Sequence, residues 1–141
     1  MNYFIDTNIF LRPFVNDDKK AALECLNLFN LIKAGEIEAF TSNFVLAEIN
    51  WTLASFYKFP KEKVISVIKS ILALRGLKIY DYVDINMAIE IYENNNIKFI
   101  DALLASNYLI FNKQAAIISY DKDFDKLKVI RIEPGKLRPK K

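Results

Sequence analysis

A three-layer α/β/α fold with a mostly parallel sheet of about five short strands is the class this sequence predicts, and three features predict it. Short apolar runs alternate along the chain with stretches of helical periodicity. The runs are rich in β-branched and aromatic residues and do not alternate with polar ones, as expected of strands covered on both faces. The chain has 141 residues, 52% of them hydrophobic, enough for the core of one ordinary domain. No internal repeat or linker divides it, so residues 1–133 are read as one domain and 134–141 as a basic tail.

Tyr3 to Ile5 predict the first strand, and a helical turn is expected from Thr7. After Pro13, Asn16-Asp17-Asp18 supply caps for a helix in which Ala22, Cys25, Leu26, Phe29 and Ile32 recur at helical spacing, until Ala34-Gly35 stops it. Glu36 to Thr41 is a strand, and Ser42 caps a long helix from Asn43 to about Tyr57 with Val45, Ile49, Leu53 and Phe56 inward. Pro60 opens the next helix, from Lys61 to Leu74, with Val64, Ile68, Ile71 and Leu72 buried and Gly76 ending the run. Leu77 to Tyr80 is a strand, followed by a helix that Asp84 caps and that carries Ala88, Ile91 and Tyr92. Asn94-Asn95-Asn96 breaks it, and another helix runs from Lys98 or Phe99 to about Phe111 with Leu103, Leu104 and Leu109 inward. Ala115 to Ser119 and Val129 to Ile132 are the last strands, with a polar turn at Asp121 to Asp125 between them. From Pro134 no periodicity remains, and a frayed end is expected.

Absences restrict the chemistry more than composition does. With no histidine, there is no Ser-His-Asp or Cys-His apparatus and no histidine-bound zinc. The single cysteine, Cys25, cannot form an intramolecular disulfide, and its helical apolar setting reads as that of a small buried hydrophobe. No long apolar span or leader pattern is present, so a soluble, cytoplasmic protein with no membrane partner is expected. A net charge of +3 and a pI near 8.9 permit a polyanionic partner without requiring one. Catalysis, if any, must rest on carboxylates, hydroxyls, amines or a hard metal ion.

Four acids stand where apolar residues are expected. They are Asp6 after the first strand, Glu48 in Val45-Leu46-Ala47-Glu48-Ile49, Asp101 in Phe99-Ile100-Asp101-Ala102-Leu103, and Asp121 after Ile117-Ile118-Ser119-Tyr120. Each alone could be a cap or a structural acid. In a parallel sheet, however, strand ends and early helical turns share one edge, where open α/β sheets bind ligands. Two like charges ~5 Å apart at an effective dielectric of ~20 cost about 3 kcal/mol, so such a cluster calls for protonation, cations or separation. An all-oxygen set favours Mg²⁺, with Mn²⁺ as the other candidate.

These residues resemble a PIN domain, the metal-dependent ribonuclease fold, and the layout resembles its VapC-type toxin branch. The matching pieces are Phe4-Ile5-Asp6-Thr7-Asn8, Val45-Leu46-Ala47-Glu48, Ile100-Asp101-Ala102-Leu103-Leu104-Ala105 and Ser119-Tyr120-Asp121-Lys122-Asp123-Phe124. The resemblance implies a central first strand and an acidic pocket in which Asp6, Glu48, Asp101 and Asp121 are catalytic and bind metal. It further implies that Thr7 or Asn8 orients a ligand or water, and that Ser119 replaces the family's usual threonine while keeping its hydroxyl. Asp123 has a less defined supporting role, in the site or only in its turn.

The function so implied is Mg²⁺-dependent hydrolysis of RNA phosphodiester bonds by an endoribonuclease, the toxin of a type II toxin–antitoxin pair. One ion would be held mainly by Asp6, Asp101 and Asp121, and a second would be recruited near Glu48. Setting the four acids aside leaves the remainder at +7, suited to a phosphate backbone, with Arg12, Lys19, Lys20, Lys58, Lys61 and the tail as candidate contacts. The resemblance also implies a homodimer and a small antitoxin able to place a basic side chain in the pocket; Trp51, Phe56, Tyr57 and Phe59 crowd the junction expected to contribute. The alternatives are an RNA-processing PIN nuclease without antitoxin and a non-catalytic RNA-binding or scaffold domain. A phosphatase of the haloacid-dehalogenase type is disfavoured, because Asn8 stands where its second aspartate belongs.

Overall fold

Apolar strands with no polar face have to be covered on both sides, and the chain does this with a five-stranded parallel sheet between helical layers. The computed structural model describes residues 1–15 and 18–139. The strands are β1 (Asn2–Ile5), β2 (Glu38–Thr41), β3 (Leu77–Ile79), β4 (Ala115–Ile118) and β5 (Arg131–Ile132). Their spatial order is β3-β2-β1-β4-β5 with every pairing parallel, so β1 is central, as expected. Phe4 lies opposite Phe40 on one side and Ile117 on the other, and the two phenylalanine rings meet edge-on at 5.3 Å. All four residues of β4 are buried.

Seven α-helices lie among the described residues: α1 (Thr7–Leu11), α2 (Lys19–Lys33), α3 (Asn43–Trp51), α4 (Lys61–Leu72), α5 (Ile85–Asn94), α6 (Phe99–Ala105) and α7 (Tyr108–Phe111). Ser42 and Asp84 cap α3 and α5 by accepting from the Phe44 and Met87 amides at 3.0 and 3.1 Å. Asp18 caps α2 by accepting from Ala21 N at 3.0 Å; Asn16 and Asp17, also expected to cap it, lie outside the described residues. Cys25 is fully buried, and burial pushes its thiol up to about 11, consistent with a packing role. No helix among the described residues is long and apolar enough to cross a membrane.

Several side chains expected inside are outside. Leu26, Phe56, Leu72 and Tyr92 are exposed, while Leu28 and Val67 take the core places on α2 and α4. Both helices carry apolar residues on more than one face, so spacing alone does not choose the buried stripe. The helix expected from Asn43 to Tyr57 stops being α-helical at Trp51 and widens into a π-turn at Thr52–Phe56, closed by Tyr57 N donating to Thr52 O at 3.1 Å. The helix expected from Phe99 to Phe111 is two. Ser106 Oγ turns back to Leu103 O at 2.7 Å and accepts from Asp84 N at 3.2 Å, and Asn107 then caps α7 through Leu109 N.

The segment from Pro134 to Leu137 is not frayed. Pro134–Lys136 forms a 3-10 turn packed on α2, and Pro134 and Leu137 are buried. Lys140 and Lys141 lie outside the described residues.

Gly76, which turns the chain from α4 into β3, has φ +92°, and a Cβ there would lie 2.6 Å from the Ile32 carbonyl oxygen. Gly35 also has positive φ, +75°, but nothing lies within 4 Å of its missing Cβ. Gly76→Ala should therefore cost about 2 kcal/mol or more and Gly35→Ala about 1 kcal/mol, the first paying for strain and collision and the second for strain alone. Urea unfolding of the two variants measures the difference, and equal costs would contradict the packing at Gly76.

Candidate functional site

At the carboxyl edge of the sheet a cleft of about 460 Å³ opens between α1, α3 and α6, and Asp6, Glu48, Asp101 and Asp121 all line it, with Thr7, Asn8, Leu11, Trp51, Thr52 and Lys98. Four elements deliver the four acids. Asp6 follows β1, Asp121 follows β4, and because β1 and β4 are neighbours their ends lie side by side. Asp101 stands in the first turn of α6, where backbone amides favour a negative charge, and Glu48 projects from α3.

Asp6 is buried and held by three donors. The Thr7 amide gives a hydrogen bond to Oδ1 at 2.8 Å, while the Ser119 hydroxyl at 2.6 Å and the Asn8 amide at 3.1 Å both donate to Oδ2. It is thus at once the cap of α1 and a wall of the cleft. Ser119 Oγ in turn accepts from Asn8 Nδ2 at 3.0 Å and from Asp121 N at 2.9 Å, and Asn8 Oδ1 accepts from Tyr120 N at 3.2 Å. One hydroxyl and one amide thereby lock the start of α1 to the turn after β4.

Asp101 is held differently. It is only 5% exposed, and its Oδ2 is buried without a hydrogen-bond partner. Carboxylate oxygens of Asp101, Asp121 and Asp123 come within 4.8 Å of one another, so Asp123 reaches the cluster although the sequence assigned it no firm place there. Asp123 also pairs with Lys126 at 2.9 Å, and Asp121 Oδ1 accepts from Asp123 N at 2.9 Å. Thr7 Oγ1 is a second buried oxygen at the cleft with no partner.

Burial and crowding show in the protonation of both acids. Burial raises Asp6 to about 6, against the pull of its bonds from Ser119 and Thr7, and Glu48 and Asp121 push it further up. Asp101 is raised to about 7, mainly by burial and then by repulsion from Asp6 and Asp121, with Lys98 opposing. An orphaned carboxylate oxygen amid crowded, all-oxygen donors fits a hard divalent cation such as Mg²⁺ or Mn²⁺.

What sequence reasoning missed near the cleft is Asp81, just beyond β3. It accepts from Ser42 Oγ at 2.7 Å and from Asn43 N at 2.9 Å, and so fixes the start of the helix that carries Glu48. Its place at a strand end was the available signal, the same one that marks Asp6 and Asp121.

The chain matches the PIN domain family over residues 3–130. No curated protein matches the sequence significantly. Among solved structures it resembles VapBC2 from Rickettsia felis, bound to a DNA fragment from its promoter, with a TM-score of 0.68 and 22% identity over 94% of this chain and 98% of that one. It also resembles FitAcB from Neisseria gonorrhoeae, with a TM-score of 0.66 and 18% identity over 96% of this chain and 99% of that one. A third is VapC20 of Mycobacterium tuberculosis, described as a toxin that cleaves the sarcin-ricin loop, with a TM-score of 0.65 and 16% identity over 92% and 98%.

In the unfolded chain both buried acids titrate near 4, so the folded protein binds their protons more tightly and loses stability as pH rises from about 4 through the folded values of about 6 and 7. In EDTA the wild type should lose on the order of 2 kcal/mol between about pH 5 and pH 7.5, after discounting for the solvent that reaches the cleft. Asp101→Asn should lose much less and be the more stable protein at neutral pH. Denaturant titrations at the two pH values decide this, and a variant as pH-sensitive as the wild type would count against Asp101 as the source.

Proposed function

This chain belongs to the PIN-domain family, and on that basis we propose that it is a divalent-metal-dependent endoribonuclease, the toxin of a toxin–antitoxin pair. The observation that carries the reading is Asp101 Oδ2, a buried carboxylate oxygen left without a hydrogen bond in a cleft that Asp6, Glu48 and Asp121 also line. A purely structural acid would have its lone pairs satisfied.

Asp101 and Asp121 would hold the ion, flanked by Asp6 and Asp123. When bound, a divalent cation supplies the charge that acidifies an attacking water and neutralises the scissile phosphate. The remaining work falls to side chains. Ser119 and Asn8 keep Asp6 in one orientation by hydrogen bonds to Oδ2. Thr7 Oγ1 is free to orient a water or a phosphate oxygen. Glu48 completes the acidic set from α3 and would draw a second ion as substrate arrives. Lys98, at the start of α6, gives the cleft wall one positive group for a phosphate.

The toxin assignment draws on the neighbours: VapC20 is described as a toxin that cleaves the sarcin-ricin loop, and VapBC2 as bound to a DNA fragment from its promoter. An antitoxin placing a cation among these acids would compete with the metal and inhibit the enzyme. We further propose a homodimer, because Phe56, Ile65 and Leu72 leave apolar side chains exposed along the π-turn and α4. A solution mass near the 16.4 kDa of one chain at tens of micromolar would exclude it.

Asp6→Asn and Asp101→Asn each remove a charge but little volume, and each should lower single-turnover RNA cleavage in Mg²⁺ by about a hundredfold or more while the protein stays folded. Undiminished cleavage by both would remove them from the active site. Mg²⁺ or Mn²⁺ should raise the thermal midpoint of the wild type, by the equivalent of about 2.7 kcal/mol at 100 times the dissociation constant. The rise should shrink in Asp101→Asn, and a midpoint insensitive to both ions would refute the metal site.

A further inference from the structure

Trp51 is a large, exposed side chain in the cleft for which the acidic chemistry provides no use. Glu48, Trp51 and Thr52 follow one another at the spacing that puts side chains on one helical face, and all three line the cleft. Trp51 is 65% exposed, although indole is among the most costly side chains to leave in water. The neighbouring rings of Phe56, Tyr57 and Phe59 pack on each other, at centroid distances of 4.9 and 6.2 Å, whereas Trp51 makes no ring contact among the described residues. The α-helix ends at this residue and the π-turn follows, so the indole stands at the lip of the cleft.

A ligand that suits both parts of this site must present an anionic group to the cation-loaded acids and a flat π face a short distance away. A nucleotide does both. From these positions we infer that Trp51 is a stacking platform for a nucleobase next to the phosphate bound at the acids, with Lys98 on the same cleft taking a flanking phosphate. This rests on the nuclease reading above and extends it to the form of the substrate. A base can lie on the indole only if it has left its own stack, so the cleft selects unpaired nucleotides over a continuous duplex.

The chain contains a single tryptophan, so intrinsic tryptophan fluorescence reports on position 51 alone. Rapid mixing of the wild type with a short unpaired RNA in Mg²⁺ should quench that fluorescence before product appears, and the same RNA annealed to its complement should not. Trp51→Ala, which should fold because the residue is exposed, should raise the RNA concentration for half-maximal cleavage about tenfold with little change in the saturating rate, and Trp51→Phe should recover most of the loss. A circular-dichroism melt matching the wild type certifies the fold of both variants. If cleavage is normal but Trp51→Ala leaves half-saturation within about twofold, the platform is overturned and the nuclease reading stands. If unpaired RNA quenches yet no RNA is cut, the nuclease reading fails and the platform stands. Quenching that follows protein concentration rather than RNA means that a second copy covers the indole, which also overturns the proposal.

Discussion

The 2.6 Å hydrogen bond from Ser119 Oγ to Asp6 Oδ2 is the interaction on which both the sheet edge and the cleft depend. It joins the carboxyl ends of two adjacent strands, and through Asn8 Nδ2 and the Asp121 amide the same hydroxyl also fixes the start of α1 and the turn after β4. A hydrogen bond to a charged group contributes roughly 1.5–3 kcal/mol. Even so, with the Thr7 amide added, these bonds do not offset burial, since Asp6 still titrates near 6. The edge is held together by bonds to a carboxylate that burial makes harder to ionise.

That tension extends to the whole cluster. Asp101 receives no hydrogen bond at Oδ2 and sits among like charges, so the fold accepts a local penalty at the position proposed to hold the cation. The cost is tolerable because the surroundings over-determine the geometry. β4 is wholly buried, α6 is buried from Asp101 to Ala105, and Asp81 pins the start of α3 from across the edge.

Much of this was legible in the sequence because an acid interrupting an apolar run is a strong local contrast. Asp6, Glu48, Asp101 and Asp121 were each visible in that way, and parallel topology turned four separate contrasts into one edge. The central place of β1 followed from the family resemblance rather than from periodicity, and the order of the other strands comes from the structure. Where the contrast is weak, reading fails. Leu23, Leu26, Leu28 and Leu31 surround α2 on several faces, and only packing shows that Leu28 is the inward one. The break at Ser106 and Asn107 carries no glycine or proline: polar side chains make it by local bonds to Leu103 O and Leu109 N, and Asp84 N adds a long-range bond that no local window contains. Asp123 joined the cluster because a 3-10 turn at Lys122–Lys126 folds it back beside Asp121, a geometry that polar turn residues do not specify.

The segment beyond residue 130, where the family match ends, belongs to the same architecture. Arg131, on β5, donates from Nη1 to the Ser119 carbonyl at 2.9 Å, is clamped by Asp125 and Glu133, and is followed by Leu137 in the core. A chain trimmed at residue 130 would lose this support directly behind Ser119. It would also turn β4, the uninterrupted apolar run Ala115-Ala116-Ile117-Ile118, from an interior strand into an open edge. Unpaired edges of that composition recruit strands from other molecules, so the short fifth strand serves as a guard against aggregation as much as a piece of the domain.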